Sequence, residues 1–299
     1  MSLRIATRGS ALARAQASHV AELLGGAELV EVSSDGERGD KGRFVRGVER
    51  ALLEGEAEVG VHSAKDLPGE LAEGLAIAAV PAREEPADAW IGAGGSLGEV
   101  PEGARVGTAS LRRRAQLLAA RPDLRVAELH GNVDTRLRKL AAGQLDAIVL
   151  AVAGLRRLGR EGEISFAVPA EAMTPAAGQG SLVLQVRAGD EASAVAVAPL
   201  GDGAALGELT AERAVVAALE ASCATPVGVR AAGGGETMRI DAFVGLPDGG
   251  EWIRDRVEGD AADPAALGAE LAGRLLSAGA RELLDRAESW SDEPRSGHA

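Results

Sequence analysis

The stretch of the chain best suited to chemistry is His62-Ser63-Ala64-Lys65-Asp66, which directly follows the apolar run Val59-Gly60-Val61. Such a run predicts a short β-strand, so the Lys65–Asp66 pair would lie at the carboxyl end of that strand, where open α/β sheets bind ligands. Lysine is also rare in this chain, since only three of its 32 basic residues are lysines. A solvated ion pair on a surface turn explains the same residues, and the motif alone leaves both interpretations open.

Arginines stand at predicted strand-to-helix turns in two parts of the chain: Arg8 in one part, and Arg112, Arg113 and Arg136 in the other. Helix N-termini present unpaired N–H groups that bind anions, and arginine pairs with carboxylates or phosphates through two hydrogen bonds. Arg112 and Arg113 fall in the first turn of a helix, where the helix dipole disfavours cations unless an anion is bound. These turns predict a polyanionic ligand, with a solvated basic patch as the alternative.

Asp66 and Cys223 are the two candidate reactive side chains. We expect a carboxylate among so many cations to stay ionised, which suits stabilisation of a developing positive charge better than acid catalysis. Cys223 lies in a loop with serine and threonine, so an accessible thiol and a buried, inert cysteine are both open. The chain has no second cysteine and no histidine spacing typical of metal ligands, so no metal site is predicted.

The elements that would position these residues alternate between strand and helix, which predicts parallel α/β sheets. Strands are predicted at about 3–6, 29–32, 59–61 and 105–107, and helices at about 10–24, 44–53 and 111–120. Segment 137–149 repeats the pattern of segment 51–61, in which a helix ends at glycine, an acidic residue follows and an apolar run begins. Two similar α/β domains would therefore enclose a cleft.

A smaller α+β domain is predicted after about residue 203. It would contain a helix over 208–220, strands near 227–232, 239–244 and 252–257, and one long helix over 264–286. Strand 182–186 would return to the first domain. The predicted domains are residues 1–82 with 181–199, residues 86–176, and residues 203–299.

Composition excludes several classes of function. A net charge of −13 argues against nucleic acid as the partner, and an aromatic content of 2% without tyrosine leaves few surfaces for stacking bases. No apolar stretch approaches the roughly 20 residues that span a membrane, and the first residues lack the pattern of a secretory leader. With one cysteine, which suits a reducing compartment, these features predict a cytoplasmic protein.

Together these motifs resemble the porphobilinogen deaminase, or hydroxymethylbilane synthase, family over nearly the whole chain. The resemblance rests on Arg4-Ile5-Ala6-Thr7-Arg8, Val61-His62-Ser63-Ala64-Lys65-Asp66, Gly107-Thr108-Ala109-Ser110-Leu111-Arg112-Arg113, Gly131-Asn132-Val133-Asp134-Thr135-Arg136, Leu150-Ala151-Val152-Ala153-Gly154-Leu155 and Cys223. It implies two domains like those of periplasmic binding proteins plus a small third domain. It also implies a transferase of tetrapyrrole biosynthesis that deaminates four porphobilinogen molecules and couples them head to tail on a covalent dipyrromethane primer, after which water releases hydroxymethylbilane.

The resemblance also implies roles for individual residues. Cys223 would carry the dipyrromethane cofactor through a thioether, and Asp66 would contact pyrrole nitrogens and stabilise the cation formed as ammonia leaves. The carboxylates of the cofactor would be held by Lys65, Ser63, Thr108, Ser110, Arg112 and Arg113. The substrate would be met by Arg8, Ser10, Arg136, Arg157 and His130. The family further implies a monomer whose product passes to uroporphyrinogen-III synthase.

Three places depart from the family pattern. His130 stands where the family has an arginine, which weakens one expected carboxylate contact because histidine carries less charge at neutral pH. Segment 33–43 is short for a lid over the cleft. Ala221-Ser222 replaces two glycines before Cys223 and would stiffen that loop.

Two other functions stay open at this point. One is a non-catalytic protein with the same two-domain fold that binds a di- or tricarboxylate, and the other is a relative that lost activity through His130. Asp66 and Cys223 together favour the enzyme, because a protein that only binds its ligand needs no thiol tether.

Overall fold

The computed structural model describes residues 3–33, 43–222 and 224–290, which form three β-sheets with their helices. The strands are β1 (Arg4–Arg8), β2 (Glu28–Val32), β3 (Val59–Ser63), β4 (Leu75–Ala79), β5 (Asp88–Gly92), β6 (Arg105–Gly107), β7 (Arg125–Ala127), β8 (Ala147–Ala151), β9 (Phe166–Val168), β10 (Leu182–Arg187), β11 (Val227–Gly234), β12 (Thr237–Gly245) and β13 (Trp252–Asp260). The helices are α1 (Ala11–Leu23), α2 (Arg43–Leu53), α3 (Leu111–Ala120), α4 (Val133–Ala141), α5 (Val152–Arg157), α6 (Glu191–Val197), α7 (Gly203–Ala218), α8 (Pro264–Ser277) and α9 (Ala280–Glu288).

The first sheet has the strand order β2-β1-β3-β10-β4. Strands β1, β2 and β3 run parallel, whereas β10 is antiparallel to both of its neighbours. The return of the chain to this sheet through β10 is confirmed. The apolar side chains of β1, β3 and β10 are buried against α1 and form one of the cores of the molecule.

The second sheet repeats this plan with the order β7-β6-β8-β5-β9, in which β5 is antiparallel to β8 and β9. The prediction of parallel pairing is confirmed for β1, β2 and β3 and for β6, β7 and β8, and it is wrong for β10 and β5. In each sheet the antiparallel strand is the first one after the chain has crossed from the other domain, so it enters the sheet from the opposite end. The prediction of two similar α/β domains plus a third α+β domain is confirmed.

Two chain segments, 80–87 and 174–181, connect the first two sheets and run beside one another. The Glu84 N–H donates to the Gly180 carbonyl at 3.3 Å. Gly180 has a positive φ of 91°, and a Cβ at this position would lie 2.1 Å from the Glu84 oxygen. Only glycine fits so close an approach of two backbones, which is why the turn at 178–180 is rich in this residue.

The third sheet, β11-β12-β13, is antiparallel and packs its apolar face on α7, α8 and α9. The single helix predicted over 264–286 is instead two helices, because the chain turns at Gly279, whose φ is +99°. Helix α7 begins before its predicted start, since the Asp202 carboxylate accepts a hydrogen bond from the Ala205 N–H at 2.8 Å and caps the helix.

An ion pair joins the third domain to the two crossing segments. The Arg83 guanidinium on the first crossing lies 2.7 Å from the carboxylate of Glu212, which is fully buried on α7. The same guanidinium donates to the Gln179 carbonyl at 3.0 Å, and Glu212 accepts a hydrogen bond from the Gly178 N–H at 2.5 Å. The third domain is therefore fastened to the connection between the first two. Within the described ranges, no helix is both long and apolar enough to cross a membrane.

Candidate active site

Asp66 lies just beyond the carboxyl end of β3, at the end of a 3₁₀ turn that spans Ala64–Asp66. Its carboxylate is 3.5 Å from the guanidinium of Arg8, the last residue of the neighbouring parallel strand β1. The two side chains meet because the carboxyl ends of parallel strands share one edge of a sheet. With 31% of its side chain exposed, Asp66 is an accessible carboxylate in a loose ion pair.

Two serines at this edge of the first sheet, Ser10 and Ser63, hold helix α1 in place. The Ser10 hydroxyl accepts a hydrogen bond from the Ala13 N–H at 3.2 Å and so caps α1. The Ser63 hydroxyl lies 2.9 Å from the side-chain nitrogen of Gln16, a buried residue of the same helix. These contacts set the position of α1 relative to Asp66.

Arg112 and Arg113 lie at the start of α3, and both are buried against Asp88 of strand β5. The Asp88 carboxylate is fully buried and accepts five hydrogen bonds, two from each arginine and one from Gln179, at 2.7 to 3.2 Å. Burial alone would raise the pKa of this carboxyl, but the two guanidiniums hold it well below its usual range. The anion expected beside these two arginines is therefore the carboxylate of Asp88, a residue of the chain itself.

Gln179 connects this cluster to the first domain. Its amide nitrogen donates to Asp88 at 2.9 Å, and its amide oxygen accepts a hydrogen bond from the Lys65 ammonium at 3.2 Å. Burial lowers the pKa of Lys65 to about 8, and the positive charges of Arg113 and Arg112 contribute to this shift. Lys65 of the first domain thus lies within electrostatic reach of the arginines of the second.

Hydroxyl groups and a further arginine complete the second-domain side. The Ser110 hydroxyl caps α3, since it accepts from the Arg113 N–H at 3.4 Å, and its own N–H donates to the Thr108 hydroxyl at 3.1 Å. Arg136 on α4 donates to the Gly131 carbonyl at 2.8 Å. Burial and the nearby charge of Arg113 lower the pKa of Arg136 to about 10. Several cations here depress one another's pKa, so the site carries a surplus of positive charge that an anion would relieve.

Two of the predicted substrate residues, Arg157 and His130, are already in contact with other groups of the chain. The Arg157 guanidinium donates to the Gly180 carbonyl at 2.6 Å, so it contacts the second crossing segment beside Gln179. His130 is largely exposed, and its ring nitrogen lies 2.6 Å from a carboxylate oxygen of Glu128. A carboxylate as immediate neighbour is unfavourable for binding a second carboxylate there.

Two predicted features fall outside the described residues. Cys223 lies in the gap between residues 222 and 224, and most of the proposed lid lies in the gap between residues 33 and 43. In the sequence, Cys223 falls between α7, which ends at Ala218, and β11, which begins at Val227. The role of Cys223 as the attachment point stays a prediction from the sequence.

Three residues that position the site were not found from the sequence: Asp88, Gln179 and Gln16. Asp88 had a signal, because it is the single charge in the apolar strand Asp88-Ala89-Trp90-Ile91, and a buried charge requires a partner. Gln179 stands between two glycines of a turn-rich segment, a position that indicates a close backbone approach but no chemistry. Gln16 lies in an ordinary helix and had no signal.

Known proteins of a single family are similar to this chain over almost its whole length. Residues 3–194 match the family model "Porphobilinogen deaminase, dipyromethane cofactor binding domain", and residues 206–277 match "Porphobilinogen deaminase, C-terminal domain". A porphobilinogen deaminase of Thiobacillus denitrificans is 44% identical over 300 residues, covering 95% of this chain and 98% of that protein. A porphobilinogen deaminase of a Roseiflexus species is 48% identical over 247 residues, covering 82% and 81% of the two chains.

Among solved structures, a TRAP periplasmic solute-binding protein of Desulfovibrio salexigens aligns with 67% of this chain and 72% of its own, at 10% identity and a TM-score of 0.41. This sequence identity and this TM-score are too low to carry an argument about function.

Proposed function

Because the chain belongs to the porphobilinogen deaminase family, we propose that Asp66, Lys65 and the arginines of the second domain carry out its reaction. The chain is a transferase of tetrapyrrole biosynthesis, a hydroxymethylbilane synthase. It deaminates four porphobilinogen molecules, couples them head to tail on a dipyrromethane cofactor and releases hydroxymethylbilane by hydrolysis. The observation that carries the assignment of roles is the accessible carboxylate of Asp66 beside a surplus of buried positive charge.

Asp66 is proposed to accept a hydrogen bond from the pyrrole N–H of the substrate and to stabilise its cation. As ammonia leaves porphobilinogen, positive charge spreads over the pyrrole ring and its exocyclic carbon, and a fixed carboxylate nearby lowers the energy of that state. The 3.5 Å separation from Arg8 supports this role, since a tightly paired carboxylate would have less capacity for another donor. Arg8, Ser10, Arg136 and Arg157 are proposed to meet the carboxylates of the substrate, with His130 as a weaker contact because the Glu128 carboxylate lies beside it.

The residues around Lys65 fit a dipyrromethane cofactor, whose acetate and propionate arms are carboxylates. The pKa values of Lys65 and Arg136 are lowered by burial and by neighbouring cations, so bound carboxylates would offset an unfavourable concentration of charge. We propose that Lys65, Ser63, Thr108, Ser110, Arg112 and Arg113 hold those arms and that Cys223 forms the thioether. When bound, the cofactor supplies a covalent primer that keeps the growing chain on the enzyme.

Asp88 fixes Arg112 and Arg113 before any ligand arrives. Each guanidinium donates two N–H groups to Asp88 and one to a backbone carbonyl, that of Thr174 for Arg112 and that of Val149 for Arg113. Two of the five N–H groups of each arginine are left for further acceptors. The arginines therefore need little reorganisation to bind a carboxylate, and this preorganisation makes an electrostatic site effective.

The three domains are proposed to be residues 1–82 with 181–199, residues 86–176, and residues 203–299. The positions of the sheets support these boundaries, since the strands of each sheet fall inside one of the three. We also propose that the enzyme acts as a monomer in the cytoplasm and passes its product to uroporphyrinogen-III synthase. Light scattering would test the oligomeric state, with 30.4 kDa expected for one chain before modification.

Mass spectrometry of the intact protein tests the attachment directly. The purified chain should exceed its sequence mass by two linked pyrrole units, and Cys223→Ala should abolish that excess. Ser222→Ala is the matched control, since it changes the preceding residue and should keep the added mass. An unmodified protein that also fails to consume porphobilinogen would contradict the proposal and favour a carboxylate-binding protein.

A further inference from the structure

The third domain lies against helix α3, whose first turn carries the two arginines bound to Asp88. In the turn between β12 and β13, Gly249 has a positive φ of 73°, and a Cβ at this position would lie 2.5 Å from the Ala119 nitrogen of α3. Nearer the start of the same helix, the Arg114 guanidinium lies 4.7 Å from the ring centroid of Trp290. Two separate parts of the third domain therefore touch one helix of the second.

A third contact runs from Arg254 on β13 to Gln116 on α3. The Arg254 guanidinium donates to the side-chain oxygen of Gln116 at 3.2 Å. It also donates to the backbone carbonyls of Glu171 and Ala172, which lie just before the second crossing segment. One arginine of the third domain thus binds both α3 and the chain that leads into the crossing.

Two aromatic rings hold Arg254 in this position. Its guanidinium carbon lies 5.5 Å from the ring centroid of Phe243 and 6.0 Å from that of Trp252, which are distances of cation–π contacts. Phe243 is 1% exposed, although it alternates along β12 with Ala242 and Val244, which belong to the core of the third domain. Because alternate residues of a strand face opposite sides of the sheet, Phe243 is buried on the side away from that core.

Gln116 is fully buried and uses every hydrogen-bonding position of its amide. Its oxygen accepts from the Thr174 N–H at 2.7 Å as well as from Arg254. Its nitrogen donates to the Thr174 carbonyl at 2.9 Å and to the Arg112 carbonyl at 3.4 Å. The Arg112 guanidinium donates to the same Thr174 carbonyl at 2.8 Å. Gln116 thus fixes a carbonyl that in turn holds Arg112, and loss of Arg254 would leave its buried oxygen short of one partner.

We propose that Arg254 is a positioning residue, which fixes Arg112 relative to the third domain through Gln116 and the Thr174 carbonyl. The proposal rests on the deaminase function proposed above, in which Cys223 of the third domain carries a cofactor whose carboxylates Arg112 helps to hold. One group is then bound at two places in two domains, and the contact between the domains sets the separation of these places. Reaction rates fall steeply when reacting groups are displaced, so Arg254 affects the reaction without touching a reacting atom.

Arg254→Ala tests the proposal by kinetics. Intact mass gives the fraction of chains that carry the added pyrrole units, and kcat is expressed per such chain. We expect kcat to fall at least about threefold, as for one lost hydrogen bond. The KM for porphobilinogen should stay within about twofold, because the residues proposed to meet the substrate are unchanged. A smaller fall in kcat overturns the proposal.

Hydrogen exchange of the whole folded chain gives a readout that does not depend on activity. The Thr174 N–H, which is bonded to Gln116, should exchange at least about threefold faster in Arg254→Ala. Unchanged exchange overturns the proposed route to Arg112. Faster exchange with an unchanged kcat also overturns it, because Arg254 then serves the fold alone.

Two control variants separate this contact from a loss of charge and from looser docking of the third domain. Arg256→Ala removes the next arginine on the same face of β13, which donates to Asp241 of its own domain at 2.5 Å. Trp290→Ala removes the ring beside Arg114 and leaves the amide network unchanged. Both variants should keep kcat and the exchange rate within about twofold of the wild type. A fall in either that equals the fall in Arg254→Ala overturns the specific role of this arginine.

A double-mutant cycle tests the route through Gln116. Gln116→Met removes the amide and keeps the length of the side chain, so it should lower kcat by itself, and adding Arg254→Ala should lower kcat by less than about twofold more. Losses that multiply independently overturn the route. If Gln116→Met does not fold, Arg112→Lys takes its place in the cycle, since it keeps the charge. A wild type that does not consume porphobilinogen contradicts the proposed function instead, so the two failures are distinguishable.

Discussion

The two aspartates of the site, Asp66 and Asp88, have the same side chain and opposite surroundings. Asp66 lies past the end of a strand, is 31% exposed and has an arginine 3.5 Å away. Asp88 is the first residue of strand β5, is fully buried and accepts five hydrogen bonds. Accessibility, rather than the number of positive neighbours, therefore separates a carboxylate that can bind a ligand from one that stabilises the fold.

The arginines follow the same division. Arg112 and Arg113 are immobilised by Asp88 inside the second domain, whereas Arg8 stands at the exposed edge of the first. The second domain thus contributes a rigid positive region, and the first contributes the carboxylate that meets the reacting ring. Gln179 joins the two through hydrogen bonds to Lys65 and Asp88.

The largest effect is expected for Asp88→Ala. This change leaves two buried guanidiniums without their counter-ion, so the free energy of unfolding should fall by about 3–5 kcal/mol. Urea unfolding followed by the fluorescence of Trp90, which lies on the same strand, would measure it. Asp146→Ala is the control, because its ion pair with Arg105 is about half exposed and solvent screening should leave it little effect on stability. Equal losses in the two variants would show that burial of Asp88 does not make its ion pairs stronger than an exposed one.

Asp66→Asn should do the reverse, leaving the fold and removing the reaction. The amide keeps the shape of the side chain but not its charge, so kcat should fall by about 10²–10³. The free energy of unfolding should change by about 1 kcal/mol or less, because only a partly exposed ion pair is lost. Steady-state assays with porphobilinogen and urea unfolding measure the two quantities, and turnover equal to the wild type would remove Asp66 from the mechanism.

Acid should destabilise the first sheet, through His62, and the second sheet, through Asp88, at different pH values. Burial lowers the pKa of His62 on β3 to about 4, and the charge of Arg8 adds to this. Between pH 4 and about 6.5, His62 is protonated in the unfolded chain and neutral in the folded chain. The free energy of unfolding therefore falls as the pH drops from about 6.5 to 4, by up to about 3 kcal/mol. The pKa of Asp88 is lowered from its ordinary value of 3.8. Its contribution to the free energy of unfolding is therefore lost only as the pH falls below that value.

His62→Gln isolates the first of these effects. The free energy of unfolding of the variant should depend less on pH between 6.5 and 4, as measured by urea titrations at several pH values. His19→Gln changes an exposed histidine of α1 and should keep the wild-type pH dependence. The same slope in all three proteins would show that His62 does not carry the effect.

The smallest expected effect is a change in the titration of Lys65. Without the cofactor, as in Cys223→Ala, its pKa of about 8 means that its charge is lost as the pH rises past 8. Bound carboxylates stabilise the charged form, so the pKa should rise by about one unit or more in the cofactor-bearing protein. Carbon-13 NMR of lysine side chains can measure this, since the chain has three lysines. Equal values in both forms would contradict a carboxylate beside Lys65.

Much of the fold was predictable because its signals are local. The cap at Ser10, the glycine that ends a helix before an apolar run, and the turn between β12 and β13 each involve neighbouring residues, and the structure has elements at these places. The break at Gly279 was missed because glycine is also tolerated inside helices. The antiparallel entry of β5 and β10 was missed because strand direction depends on where the chain crosses between domains.

The family, much of the order of the elements and the candidacy of Asp66, Lys65 and the arginines were readable from the sequence, because motif residues and their spacing lie along the chain. The burial of Asp88 rather than Asp66, its contacts to the arginines of α3, and the position of Gln179 between two domains became visible in the three-dimensional structure. These outcomes depend on contacts between residues 24 to 114 positions apart. Burial and partnership at such separations are properties of packing, and no local pattern records them.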